Sequence, residues 1–153
     1  MAKMVKVGMA DLNICHSPDA ITTLGLGSCV GVALYDKNTK TAGLVHVMLP
    51  DSTKVRQNQN RAKFADTGID YLIELLEKEG AKKSSLTAKI AGGAQMFAFS
   101  SSNDMLRVGE RNVEAVKDKL KKLVKKMCYL CIIFSSFQCF DLKFFGLSFS
   151  RRK

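Results

Sequence analysis

Cys29-Val30-Gly31-Val32-Ala33-Leu34-Tyr35-Asp36-Lys37-Asn38-Thr39-Lys40-Thr41-Ala42-Gly43-Leu44-Val45-His46-Val47-Met48-Leu49-Pro50 decides the fold. Val30 to Tyr35 has strand character, with Gly25-Leu26-Gly27-Ser28 upstream and the polar turn Asp36 to Lys40 downstream. Ala42 to Leu49 is a second β-type run stopped by Pro50-Asp51, so the two form an antiparallel hairpin. Residues paired across such a hairpin have a constant sum of residue numbers. A turn centred between Lys37 and Asn38 gives a sum of 75 and sets Cys29 directly opposite His46. A sum of 77 makes them diagonal neighbours on one face, and 76 puts them on opposite faces.

Upstream, Met4 to Met9 reads as a first strand and Asp11 to Asp19 as a polar connection containing Pro18. Downstream, Ser52 to Arg61 has Val55 as its single apolar residue and reads as an exposed, mobile loop, a lid or a linker. Between about Ala62 and Lys78, apolar residues recur at Ala65, Ile69, Leu72, Ile73 and Leu76, a helical period that Gly80 stops. Leu86 to Ala91 is another strand, Gly92-Gly93 a tight turn before Met96 and Phe97, and Gly109 to about Lys126 a second helix with Val113, Val116, Leu120, Leu123 and Val124 along one face. This order gives a mixed α and β domain.

A chain of 153 residues, 46% of them hydrophobic, suits one domain with an ordinary core and excludes disorder as its main state. The 24 Lys and Arg against 14 Asp and Glu leave a formal charge of +10, which favours an acidic partner. Lysines crowd the end of the second helix, as the helix dipole prefers. A nucleic-acid patch is the sharper reading, but no recognition motif or aromatic platform accompanies them, and no nucleic-acid partner is expected. The odd set Cys15, Cys29, Cys128, Cys131 and Cys139 reads as reduced thiols, and the N-terminus has no apolar signal stretch. A cytoplasmic setting follows as the expectation.

Composition changes after Lys126. Six of nine Phe and three of five Cys fall in residues 127–153, with no Ala, Val, Glu, Thr, Asn or Pro among them. The expected division is therefore a domain over 1–126 and an atypical Phe/Cys/Ser-rich tail over 127–153, whose residue types suit an out-of-frame reading of an AT-rich coding sequence. Met127 to Phe140 is an uncharged stretch of 14 residues, short of the roughly 20 that span a bilayer, so no transmembrane segment is expected; with basic residues on both sides it can instead lie at an anionic membrane surface. Cys128, Cys131 and Cys139 lack a fourth zinc ligand.

The chemistry-bearing residues are few, since the chain has only two His, His16 and His46. Gly25-x-Gly27 is not a dinucleotide fingerprint: the next glycine, Gly31, comes one residue late and a β-run follows instead of a helix. The glycines do make a turn whose backbone amides can approach another group closely, so Gly25, Gly27 and Ser28 are candidates for an oxyanion hole directly before a thiol. In a Cys29/His46 arrangement the imidazole takes the thiol proton, the thiolate attacks a carbonyl, and water cleaves the acyl-enzyme. The bland alternative is a buried cysteine beside a satisfied strand histidine. Cys15, His16, Cys29 and His46 match no familiar zinc spacing.

Thr23-Leu24-Gly25-Leu26-Gly27-Ser28-Cys29-Val30 and Gly43-Leu44-Val45-His46-Val47-Met48-Leu49-Pro50 resemble the bacterial chemotaxis family CheD. The resemblance continues in Lys63-Phe64-Ala65-Asp66-Thr67, in Lys89 to Phe97 with its glycine turn, and in Gly109-Glu110-Arg111-Asn112-Val113, covering about residues 4 to 124 in order. It implies a deamidase that converts particular glutamines of methyl-accepting chemotaxis receptors to glutamate, with ammonia as leaving group. By motif position it implies Cys29 as nucleophile, His46 as general base and acid, and Thr23 as the third member assisting His46. It implies no metal or organic cofactor, and the phosphatase CheC as a partner beside the receptors. The implied fold is α+β: a β-sandwich-like mixed sheet flanked by helices, similar to the catalytic domain of cytotoxic necrotising factor toxins.

This chain departs from the family pattern after the second helix, where further strands and a segment resembling Asp-x-Gly-Gly are expected and Met127 onward offers nothing similar. C-terminal strands are thus expected to be missing or replaced, which exposes a sheet edge. Two alternatives to the enzyme stand beside it: a non-catalytic adaptor that binds CheC or receptor helices, and an inactive truncated product.

Overall fold

The computed structural model describes residues 2–56, 59–94 and 107–129, with no side-chain description at 128 and 129. It is an α+β structure of three layers. The middle layer is a five-stranded mixed sheet in the order β2-β5-β4-β6-β7, formed by β2 (Leu12–His16), β5 (Thr41–Val47), β4 (Val30–Asp36), β6 (Leu86–Gly92) and β7 (Lys126–Tyr129). β2, β5, β4 and β6 pair antiparallel, and β7 lies parallel to β6. A ribbon of β1 (Met4–Val7) and β3 (Ala20–Thr23), paired in parallel, covers one face. Two helices, α1 (Ala65–Lys78) and α2 (Val108–Leu123), cover the other.

Strand alternation decides which side chains meet which layer. Val30, Val32 and Leu34 of β4 and Val45 and Val47 of β5 pack on Ile69, Leu72, Ile73 and Leu76 of α1 and on Val116 and Leu120 of α2. The intervening Ala33, Ala42 and Leu44 pack on Val7, Ile21 and Cys15 beneath the ribbon. The hairpin core is therefore buried on both faces, which is why its sequence is an almost unbroken apolar run.

The elements expected from strong periodicity are present: α1 ends before Gly80, and α2 closes at Leu123, a few residues short of Lys126. Two expectations are corrected and one strand is added. Asp11 to Asp19 is not just a connection: Leu12–His16 forms edge strand β2, with Leu12 and Ile14 turned onto the helix layer. Ala20–Thr23 is a further strand, β3. The Ser52 to Arg61 segment is exposed at most of its described residues, as expected, but its start is fastened, since Ser52 is buried and gives its backbone N–H and hydroxyl to Asp66, the hydroxyl at 2.7 Å. Short 3-10 turns stand at Ser52–Lys54 and Arg61–Lys63.

The register, which the sequence leaves open between sums of 75, 76 and 77, takes the last of these. Val30 pairs with Val47 and Gly31 with His46, so the paired sum is 77 and not 75. The Asp36 carboxylate accepts the Asn38 N–H at 2.9 Å, and the turn occupies residues 37–40 with Lys40 at a φ of 54°, moving its centre one residue beyond the Lys37–Asn38 link. β7 begins at Lys126 and includes the first residues of the atypical tail; residues 130–153, and the Met96-Phe97 pair after the glycine turn, lie outside the described residues. Among the described residues, no helix is long and apolar enough to cross a membrane.

Candidate active site at the open end of the hairpin

Cys29 stands one residue before β4, in the turn that leads from β3 into the central sheet. The turn is closed by the Cys29 N–H, which donates to the Leu26 carbonyl at 2.7 Å, and it depends on Gly25 and Gly27 at φ of 67° and 48°, a region that strains residues with a side chain. Its carbonyls are held from outside. Gly27 O accepts from Ala94 N, and Cys29 O from Gly93 N, both at 2.8 Å; Ser28 O accepts from the Asn112 side chain at 3.0 Å. In a trans peptide the N–H points away from the carbonyl, so anchoring Gly27 O directs the Ser28 N–H to the other side. Among the described residues, the amides of Gly25, Gly27 and Ser28 donate to no backbone carbonyl, whereas that of Cys29 is spent within the turn.

His46 lies opposite Gly31 on β5, on the face toward the ribbon, where a Cβ on Gly31 would meet Leu26 and Thr23. Cys29 lies in a bend one residue before β4; strand alternation carried back from Gly31 would set it on the face of His46 as a diagonal neighbour, roughly 7 Å between Cβ atoms, a gap that side-chain rotation spans. The imidazole is fully buried. Its Nδ1 is 2.8 Å from the Thr23 hydroxyl, and that hydroxyl is also 2.8 Å from the Val7 carbonyl. A carbonyl only accepts, so the single Thr23 proton goes to Val7, and the Thr23 oxygen accepts from Nδ1–H. The tautomer is thereby set, and Nε2 carries the bare lone pair. Nε2 has no hydrogen-bond partner.

Burial lowers the His46 pKa and raises that of Cys29, so both groups rest in their neutral forms near neutral pH. No hydrogen bond joins the thiol to Nε2 in this conformation; brought together by side-chain rotation, a neutral thiol and a neutral imidazole with a free lone pair form a proton-transfer couple, charged only as reaction begins.

The expected site residues Thr23, Cys29 and His46, with Gly25, Gly27 and Ser28, thus converge on one end of the β4–β5 hairpin. Cys15 and His16 do not join them: Cys15 pairs with Ala42, four residues along β5 from His46 or about 13 Å away. Among the described residues no group of three His, Cys, Asp or Glu side chains gathers as a metal site requires. Two residues of the site had no role assigned from sequence: Val7, whose carbonyl orients Thr23, and Asn112, which reaches the turn from α2. Asn112 carried a legible signal, a polar residue on the buried stripe Gly109, Asn112, Val116 and Leu120 of an amphipathic helix.

The family described as CheD chemotactic sensory transduction matches residues 48–128. A probable chemoreceptor glutamine deamidase CheD of Lachnoclostridium phytofermentans is 71% identical over 123 residues, 80% of this chain and 76% of that protein. The chemoreceptor glutamine deamidases CheD of Halalkalibacterium halodurans and Bacillus subtilis are 60% and 54% identical, covering 80% and 78% of this chain and 76% and 72% of their own lengths. Among solved structures, the Bacillus licheniformis hypothetical protein YfiH overlays with a TM-score of 0.45 at 12% identity, over 79% of this chain and 51% of that one. A match across more than half of the sequence, together with relatives of this identity, means that the chain belongs to the CheD family.

Proposed function

We propose that this chain deamidates glutamine side chains of chemotaxis receptors through Cys29, His46 and Thr23, as the names of its relatives suggest for the overall reaction. The observation that carries the mechanism is the oriented imidazole: Thr23 holds Nδ1–H while Nε2, buried and unpartnered, faces no competing donor. Cys29 gives its thiol proton to His46 Nε2 as sulfur attacks the carboxamide carbon. The oxyanion is received by amides of the Gly25 to Ser28 turn, the Ser28 N–H foremost. His46 returns the proton to the departing nitrogen, ammonia leaves, and the thioester remains. Water, deprotonated by the same Nε2, then cleaves the thioester to give glutamate and free Cys29.

Receptors are the substrate, and CheC is a second partner of the same docking surface. Exposed Met9 and Leu24, each close in sequence to the ribbon residues that orient His46, supply apolar contact at the rim, and the net charge of +10 suits acidic helical segments. The catalytic unit, expected to end at 126, takes in β7 as its edge strand, so that residues 127–129 belong to the sheet and the atypical tail follows them; the setting is the cytoplasm, where receptor signalling domains lie. Incubating a receptor cytoplasmic fragment with the chain and weighing it intact tests the proposal. A gain of about 1 Da per glutamine, absent with Cys29→Ala, is the expected result, and equal conversion by Cys29→Ala would remove the mechanism.

A further inference from the structure

Asn112 is the point at which the nucleophile's turn and the base's strand are tied together. Its amide nitrogen donates to Ser28 O at 3.0 Å and to Met48 O at 2.9 Å. Ser28 immediately precedes Cys29, and Met48 follows His46 by two residues. The two accepted protons also fix which way the amide faces, because a flipped side chain would set its oxygen against two carbonyls. That leaves Asn112 Oδ1 fully buried and without a hydrogen-bond partner. A residue serving stability alone is poorly chosen here, since its acceptor stays unsatisfied where an apolar side chain would fill the space. The unpaired oxygen is tolerated because the two donors are needed where they are.

The helix that carries Asn112 is itself seated on the turn. A Cβ on Gly109 would overlap the carbonyls of Gly93 and Ala94, and the amides of Gly93 and Ala94 hold Cys29 O and Gly27 O. The N-terminal turn of α2, the Gly92-Gly93 turn and the Cys29 turn therefore form one contact set, which Asn112 links to Met48, the residue directly after β5.

We infer that Asn112 is a positioning residue, which sets the distance between Cys29 and His46 by clamping the Ser28 and Met48 carbonyls to one amide. The inference rests on the Cys29/His46 reading above. A diagonal pair has little direct strand pairing to hold it: Cys29 lies outside β4, so its approach to His46 depends on the turn being fixed relative to β5. Loss of the clamp lets the thiol drift from the imidazole without changing either group.

The test uses the full chain, a receptor cytoplasmic fragment as substrate, and three variants, with turnover referred to the folded fraction. Asn112→Ala is expected to lower kcat about 10- to 100-fold while KM stays within roughly twofold, as for a misplaced reacting group. The acid limb of its pH profile stays with that of the wild type, because His46 keeps Thr23. Leu120→Ala, buried about two turns further along the same helix, controls for loss of stability and keeps kcat per folded molecule. Should Asn112→Ala fail to fold, Asn112→Ser, whose hydroxyl can hold at most one of the two carbonyls, carries the same comparison. Wild-type kcat in the Asn112 variant, or a loss matched by Leu120→Ala, overturns the positioning role while leaving the deamidase reading intact. Absence of Cys29-dependent conversion by the wild-type chain overturns both.

Discussion

The Thr23 hydroxyl accepts a hydrogen bond from His46 Nδ1–H across 2.8 Å and donates one to the Val7 carbonyl at the same distance. A strand residue of β5 is thus oriented by the covering ribbon, not by its own sheet. Thr23 sits at the end of β3, paired with Val7 at the end of β1, so the carbonyl and the hydroxyl that fix the imidazole come from one ladder position of one parallel pair. The base is as well placed as the ribbon is packed.

Replacing Thr23 by Val keeps the shape and removes the acceptor. His46 then loses the partner that selects its tautomer, and the proton is free to occupy Nε2, where it blocks uptake of the thiol proton. Thr23→Val is expected to lower kcat about 10- to 100-fold, and Thr23→Ser, which keeps the oxygen, to recover most of it. Steady-state kinetics with a receptor fragment check this; equal rates for the Val and Ser variants would dismiss the hydroxyl.

Cys29→Ala removes the nucleophile but no strand pairing, because its backbone N–H and carbonyl keep Leu26 and Gly93 as partners. Deamidation is expected to fall by at least about a thousandfold, with stability within roughly 1 kcal/mol of wild type and CheC binding retained. Intact-mass assays, a denaturant titration and a pull-down with CheC read the three outcomes separately.

Much of this arrangement is legible in sequence, and the parts that are not have physical causes. α1 and α2 declare themselves by helical periodicity and β6 by alternation, whereas β4 and β5 stand out as an almost unbroken apolar run interrupted by one polar turn. β2 does not, since polar Asn13 and the Ser17-Pro18 break surround an edge strand with only Leu12 and Ile14 turned onto the helices. β3 is four residues long, two of them Thr, and its parallel partner β1 is joined to it through β2, so no local turn marks the pair. The candidate residues Thr23, Cys29 and His46 are proposed by resemblance, whereas their register depends on the turn, in which the Asp36 carboxylate accepts the Asn38 amide. Asn112 was visible only as a polar residue on a buried stripe, and its two acceptors belong to segments 84 and 64 residues away.

Leu34 and Leu44 are both fully buried but on opposite faces of the central sheet, Leu34 toward the helices and Leu44 toward the ribbon. Truncation of either to Ala is expected to cost about 2–5 kcal/mol in a denaturant titration. Their effects on turnover differ. Leu44→Ala loosens the seat of the ribbon that carries Thr23 and lowers kcat per folded molecule several-fold, whereas Leu34→Ala leaves it near the wild-type value. Equal losses of kcat in both variants would mean that the ribbon does not govern the base.

The pH dependence follows from two opposed shifts with one cause. Burial holds the His46 pKa below its ordinary value of 6.5, so the folded protein takes up this proton less readily than the unfolded chain. As pH falls below 6.5, the unfolded state binds the proton first and stability drops, a loss that is complete once pH has passed the folded pKa. Burial holds the Cys29 pKa above 9.0, so its contribution is intact below 9.0 and is lost as pH rises through the folded value. Stability measured by denaturant midpoint should therefore decline on the acid side less steeply in His46→Gln than in the wild type, and on the alkaline side less steeply in Cys29→Ala. Activity follows the same pair: kcat/KM should stay on its plateau to a pH below 6.5, because a base with a lowered pKa remains unprotonated there. An acid limb centred above 6.5 would mean that His46 is stabilised as its cation in the free enzyme, and the neutral thiol and imidazole couple would have to give way to an ion pair.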